Sequence, residues 1–129
     1  MNNLTIYQAK AGDGVKMKGL KRVDSFFETP EEAASEAFSL KARLDKLYDH
    51  NIQWDYKANM SGSLKKVKIL RGYLNGNRKT NPFYLEIIST KKLKTSKTSS
   101  PIKPKKMSED DQKIVKNVSN LFNSKSNVQ

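Results

Sequence analysis

Apolar positions recur every three or four residues between Thr29 and Tyr48. Ala33, Ala37, Leu40, Leu44 and Leu47 form one stripe, widened by Ala34, Phe38 and Tyr48, while Lys41, Arg43, Asp45 and Lys46 fall largely outside it. Ahead of the stripe the Thr29 hydroxyl can cap a helix start. Pro30 suits the first helical position, where no backbone donor is needed, and Glu32 stands where it closes a capping box. Glu31 adds negative charge at the positive end of the helix dipole. The pattern predicts one amphipathic helix, the packing spine of a small domain.

Elsewhere the period is two. Leu4 to Gln8 reads as a short strand with Leu4 and Ile6 on one face, and residues 11–14 read as a turn, since glycine supplies the positive φ that turns need. Val15 to Lys18 alternates apolar and basic residues and can pair back as a hairpin. Gly19 interrupts it, and Leu20 to Phe27 forms another extended piece leading to the helix cap. After His50-Asn51, Ile52, Trp54 and Tyr56 share a strand face. A turn around Gly62 covers Asn59 to Ser63, and Leu64 to Leu74 is the next strand. Asn75-Gly76 is a strong hairpin dipeptide within a loop reaching Pro82. In the last strand, Phe83 to Ile88, the residues Phe83, Leu85 and Ile87 lie on one side. The expected fold is α+β, with one amphipathic helix packed on a small antiparallel sheet over residues 1–90.

At Lys91 the composition changes. Residues 91–107 hold seven lysines, no acid and almost nothing to bury, and they read as a basic flexible linker. Ser108 followed by Asp111 repeats the capping logic, and Ile114, Val115, Val118, Leu121 and Phe122 recur at helical spacing. A short C-terminal helix over 108–123 is expected, with a disordered end at 124–129. Such a helix can fold back, stay loose or dock in a partner's groove. Lys113 and Lys116 around the apolar stripe, behind a long linker, favour the partner.

Charge sharpens this picture. The chain carries 25 Lys and Arg against 13 Asp and Glu, a net charge of +12. Residues 1–90 hold 15 basic and 10 acidic residues and residues 91–129 hold 10 and 3, so the tail carries the larger excess. That balance predicts attraction to polyanions, nucleic acid or an acidic protein surface. Pro101 to Lys106 has the look of a nuclear-import cluster, although a solubilising linker explains it more simply. No cysteine is present, which excludes disulfides and thiolate metal sites and suits a reducing cytoplasm. No signal peptide or membrane-length apolar run is seen.

Catalytic groups are scarce. The single histidine, His50, stands where the long helix stops and reads as a side chain satisfying free carbonyls. Asp45 and Asp49, near Lys41 and Lys46, read as a solvated face. No phosphate loop, zinc spacing or nucleophile motif occurs, so neither an enzyme nor a cofactor is expected. The stronger signal lies between Leu64 and Thr80, where Lys65, Lys66, Lys68, Arg71, Arg78 and Lys79 occur without an acidic residue. Alternation places Lys66 and Lys68 on one face and Val67, Ile69 and Arg71 on the other. Beside the aromatic strand of Trp54 and Tyr56, such a strand suits single-stranded nucleic acid. Against that, Trp54 and Tyr56 share the face of Ile52 and can pack under the helix. A solvated basic sheet face is then the simpler reading. Together with the terminal stripe of Ile114, Val118, Leu121 and Phe122, these cations are the candidate binding residues.

Taken whole, the chain resembles the small RNA-polymerase-binding proteins of T4-like bacteriophages. The likeness rests on the opening Met-Asn-Asn-Leu-Thr-Ile-Tyr-Gln-Ala-Lys, on Phe-Phe-Glu-Thr-Pro-Glu-Glu-Ala-Ala at residues 26–34, and on size and basicity. None of these is a functional motif, so no binding residue carries over. The resemblance implies a protein of the host cytoplasm that binds the core of bacterial RNA polymerase; with no enzyme site expected, the first reading is a monomeric, non-enzymatic accessory protein that modulates transcription. Two further readings stay open: a sequence-tolerant nucleic-acid-binding protein using the basic strand and lysine-rich tail, and an inhibitor of a host defence nuclease.

Overall fold

A computed structural model describes residues 3–21, 25–93, 104 and 106–126. The chain forms β1 (Asn3–Asp13), β2 (Lys18–Leu20), α1 (Pro30–Leu47), β3 (Ile52–Asp55), β4 (Ser61–Ser63), β5 (Lys66–Leu74), β6 (Phe83–Leu93) and α2 (Glu109–Ser126). The α+β class holds: two helices and one antiparallel sheet in the order β2-β1-β6-β5-β3, with β4 also on β5. β3 pairs with residues 71–74 of β5 and β4 with residues 66–68, so the two short strands share one long neighbour.

α1 begins as its sequence dictates. The Thr29 hydroxyl accepts from the Glu32 amide at 3.2 Å, which caps the helix as expected. It also donates to the Glu32 carboxylate at 3.0 Å, so Glu32 meets the cap through that hydroxyl rather than through the backbone amide of a capping box. Ala33, Ala34, Ala37, Phe38, Leu40 and Leu44 are buried against the sheet, whereas Leu47, on the expected stripe, is 53% exposed. The helix ends differently from expectation. Backbone amides satisfy its last carbonyls, His50 N–H donating to Asp45 O at 2.7 Å, with Asp49 and His50 both at positive φ. The His50 side chain is exposed.

The strands are longer and more widely paired than local patterning indicates. β1 continues through the expected turn at 11–14, and the reversal falls at residues 14–17 instead. Gly19 lies within β2 rather than ending it. The Leu20–Phe27 piece touches the sheet at Phe27, which exchanges backbone hydrogen bonds with Tyr7 at 2.8 and 2.9 Å; residues 22–24 lie outside the described set. Residues 61–63 are a strand, not the middle of a turn. β1 and β6 pair from Asn3↔Leu93 to Gly12↔Tyr84, which carries the last strand past Ile88 and past residue 90 into the lysine-rich stretch. The rest of that stretch, 94–103 and 105, and the end at 127–129 lie outside the described residues.

One core lies between the sheet and the helices. Ala9, Ala11, Val67, Leu70, Phe83, Leu85 and Ile87 meet Ala33, Ala37, Phe38, Leu40 and Leu44, and α2 adds Ile114, Val118 and Phe122. The expectation that α2 docks on a partner is therefore corrected. Its stripe packs on α1 and on Tyr7, whose ring meets Phe122 edge-on at 5.5 Å between centroids.

Candidate polyanion-binding face

The basic character of the sheet's outer face follows from the phase of β5. Strict alternation separates Arg71 from Lys66 and Lys68. In the fold the register with β6 slips between Lys68 and Leu70, a bulge that admits one extra residue and inverts the alternation beyond it. Ile69 and Leu70 are both buried, and Arg71 comes round to the side of the two lysines. Lys66, Lys68 and Arg71 then oppose Ile88, Glu86 and Tyr84 on β6, which in turn oppose Gln8, Lys10 and Gly12 on β1. Three rows cross the face: Gln8–Ile88–Lys66, Lys10–Glu86–Lys68 and Gly12–Tyr84–Arg71.

The cations differ in how they are held. Lys66 is exposed, whereas Lys68 places its Nζ 4.9 Å from the centre of the Tyr84 ring. That ring lies flat against Gly12, where a Cβ would fall inside it. Arg71 donates from Nη2 to Ser61 Oγ at 2.7 Å, which fixes its guanidinium beside β4. The Lys10 stem lies over Gly19, so two glycines floor the face where β1 meets β2. Among the described residues none of these four cations makes an ion pair. Glu86, between Lys10 and Lys68, is 3% exposed, and its Oε1 has no hydrogen-bond partner. At the other end of β5, Arg78 bonds Asp55 Oδ2 at 3.1 Å and stands over Tyr73 at 5.1 Å. The Arg78 hydrogen bond, followed by the Lys57 amide, holds the Asp55 carboxyl below the usual carboxylate range.

The predicted residues thus divide. Lys66, Lys68 and Arg71 come together and are joined by Lys10. Lys65 is exposed in the turn before β5, and Arg78 and Lys79 are exposed in the loop after it. Ile114, Val118 and Phe122 are buried on the helix side of the sheet, and Leu121 is half-buried beside Met60 and Leu64. No apolar anchor ringed by cations is formed. Trp54 and Tyr56 also point to the helices. Trp54 Nε1 donates to Asp45 at 2.8 Å, and the Tyr56 hydroxyl donates to Asp111. Burial first, and then Asp111, push the Tyr56 hydroxyl far above its ordinary pKa.

Patterning missed Lys10, Tyr84 and Glu86. Lys10 continues the alternation of Ile6 and Gln8, a signal lost once β1 is cut at Gln8. Tyr84 and Glu86 interleave with Phe83, Leu85 and Ile87, so the apolar alternation that marks the inner face also marks them as outer.

The arrangement offers fixed positive charge with two outward tyrosines and no convergent acid, base and nucleophile. Among the described residues no cluster of three His, Asp or Glu side chains is placed to hold a metal ion, and no helix is long and apolar enough to cross a membrane. No protein family, curated protein or solved structure matches the chain.

Proposed function

We propose that this is a non-enzymatic accessory protein that binds the core of a bacterial host's RNA polymerase in the host cytoplasm and modulates transcription, meeting the enzyme through the basic outer face of the sheet. The polymerase comes from the sequence resemblance. The observation that supports the face is a division of labour: both helices cover one side of the sheet, while Lys10, Lys66, Lys68 and Arg71 stand on the other with no ion pair among the described residues. Like charges gathered on one face repel one another, and a polyanionic or acidic partner relieves that repulsion.

A second reading is direct binding of single-stranded nucleic acid. Tyr84 beside Lys68 and Tyr73 beside Arg78 favour it, since such pairs can hold phosphates and stack bases. Capture of purified core polymerase, with and without nuclease, separates the two. In the first reading capture survives nuclease, and Lys66→Glu, Lys68→Glu and Arg71→Glu combined weaken it by about tenfold or more. In the second, oligonucleotide affinity falls steeply with salt, and the triple change weakens all sequences alike. Capture that nuclease abolishes sinks the first reading. A flat salt response sinks the second.

A further inference from the structure

The hairpin joining β1 to β2 presents two apolar side chains to solvent on a well-held turn. At its tip Val15 is 54% and Met17 69% exposed, alternating with exposed Lys16 and Lys18. Buried Asp13 organises the turn. Its Oδ1 accepts from the amides of Val15 at 2.9 Å and Lys16 at 2.8 Å, and its carbonyl accepts from the Met17 amide at 2.7 Å. The Tyr48 hydroxyl, just past α1, lies 2.7 Å from both Asp13 carboxylate oxygens and so ties the turn to the body of the domain.

Met17 itself sits at φ 58°, a conformation that glycine adopts freely and a methionine adopts at a cost. The Asn81 side-chain amide donates to its sulfur at 3.0 Å. Folding gains little from an exposed methionine in a strained position. Behind the tip lies a cleft of about 350 Å³ lined by Lys10, Lys68, Asn81 and Tyr84 among others, so the tip borders the basic face.

We infer that Val15 to Lys18 is a protein-docking tip: Val15 and Met17 enter an apolar cleft on a protein partner, and Lys16 and Lys18 meet an acidic rim around it. The inference rests on the polymerase reading and adds where the contact is made. The alternation decides the chemistry. A phosphate backbone rewards the lysines but offers little to the aliphatic pair, whereas an apolar protein cleft with carboxylates at its edge uses all four side chains. Methionine is unbranched and adapts to irregular apolar walls, and the rigid turn limits the entropy lost on docking.

The test is the full chain carrying Val15→Ser with Met17→Gly, assayed against purified core RNA polymerase. Glycine removes the strained side chain without disturbing the turn. The thermal midpoint should therefore stay level or rise, while capture weakens by about tenfold or more. Oligonucleotide affinity should not change. Lys16→Glu with Lys18→Glu should weaken capture most at low salt. Equal capture by the first variant and the wild type overturns the inference and leaves the polymerase reading standing. Failure of the wild type to bind the core overturns both. Loss of oligonucleotide affinity with polymerase capture intact makes the tip a nucleic-acid wedge and also overturns it.

Discussion

Phe83 and Tyr84 are neighbours on β6, yet they belong to surfaces built on different terms. Phe83 faces the helices, fully buried, with Tyr48 and Trp54 edge-on at 5.1 and 6.5 Å. On that side several polar groups are matched as well, although Glu36 on α1 is buried with a carboxylate oxygen, Oε2, that has no hydrogen bond among the described residues. Asp45 and Asp111 both pair with Lys41, at 3.4 and 3.6 Å, and each accepts a further hydrogen bond from an aromatic side chain. Tyr84 faces outward, half-buried between Gly12 and Lys68, among cations that make no ion pair with the described residues and beside a buried carboxylate with an open oxygen. The inner face closes around aromatic rings and ion-paired aspartates, whereas the outer face sets its cations against a tyrosine, a serine and glycines.

The sharpest way to break this comparison is to truncate the two neighbours. Phe83→Ala should cost about 3–5 kcal/mol, the range for deleting a buried aromatic ring. Tyr84→Ala should cost less than half of that while weakening polyanion binding. Denaturant titration of both variants checks the order. Equal losses would mean that the outer face is also core.

α2 extends the comparison to the C-terminal end. Val118 is fully buried and Leu121 half-buried. Val118→Asp should therefore lower stability by about 3 kcal/mol, through lost burial and an unpaired buried charge. For a chain of this size that is about 10 °C in Tm. Leu121→Asp should cost far less. A Tm unmoved by Val118→Asp would detach α2 from the core.

Legibility in the sequence follows the range of the interactions involved. α1 is readable because its cap, first-turn acids and apolar stripe all lie within twenty residues. β5 is readable as a strand, but its bulge is set by pairing with β6, so local alternation assigns Arg71 to the wrong face. The extent of β1 and β6 is fixed by their mutual pairing across some eighty residues of chain, which no local pattern reports. The α2 stripe is visible, but its counterpart on α1 and Tyr7 is not, since a stripe records that something covers it without recording what. Lys66 and Lys68 are legible as neighbours on one sheet face, whereas placing Lys10 beside them takes the β1–β6 register.

The polar latches on the inner face give a pH test of intermediate size. Burial raises the Tyr48 hydroxyl to about 12, with Asp13 adding to the shift, and raises the Tyr56 hydroxyl as well. Both pKa values are raised on folding, so these groups contribute fully below the unfolded value near 10 and lose that contribution as pH rises through the folded values. Tm should fall between pH 10 and 12, and Tyr48→Phe with Tyr56→Phe should make that fall shallower. At pH 7, Tyr56→Phe alone should cost about 1 kcal/mol, since Asp111 keeps Lys41. A wild-type alkaline slope identical to that of the double variant would mean that the hydroxyls are not latched.

The smallest effect expected is the most specific to the outer face. Glu86 is a buried acid lying in register between Lys10 and Lys68, and one of its oxygens is unbonded. A carboxylate there repels any anion brought to the face. Glu86→Gln removes that repulsion with little change of shape. A unit charge about 7 Å from a phosphate contributes roughly 0.6 kcal/mol in water, so affinity for a polyanion should rise by about threefold at low salt. The gain should fade at high salt, where the Debye length falls to about 3 Å at 1 M. Stability should change little in either direction, because two lysines lose a neighbouring carboxylate while a buried acid disappears. Heparin titrations of wild type and variant at two salt concentrations measure the effect. Weaker binding by Glu86→Gln would show that Glu86 acts by holding the lysines in place, and the outer face would then be a finished structure like the inner one.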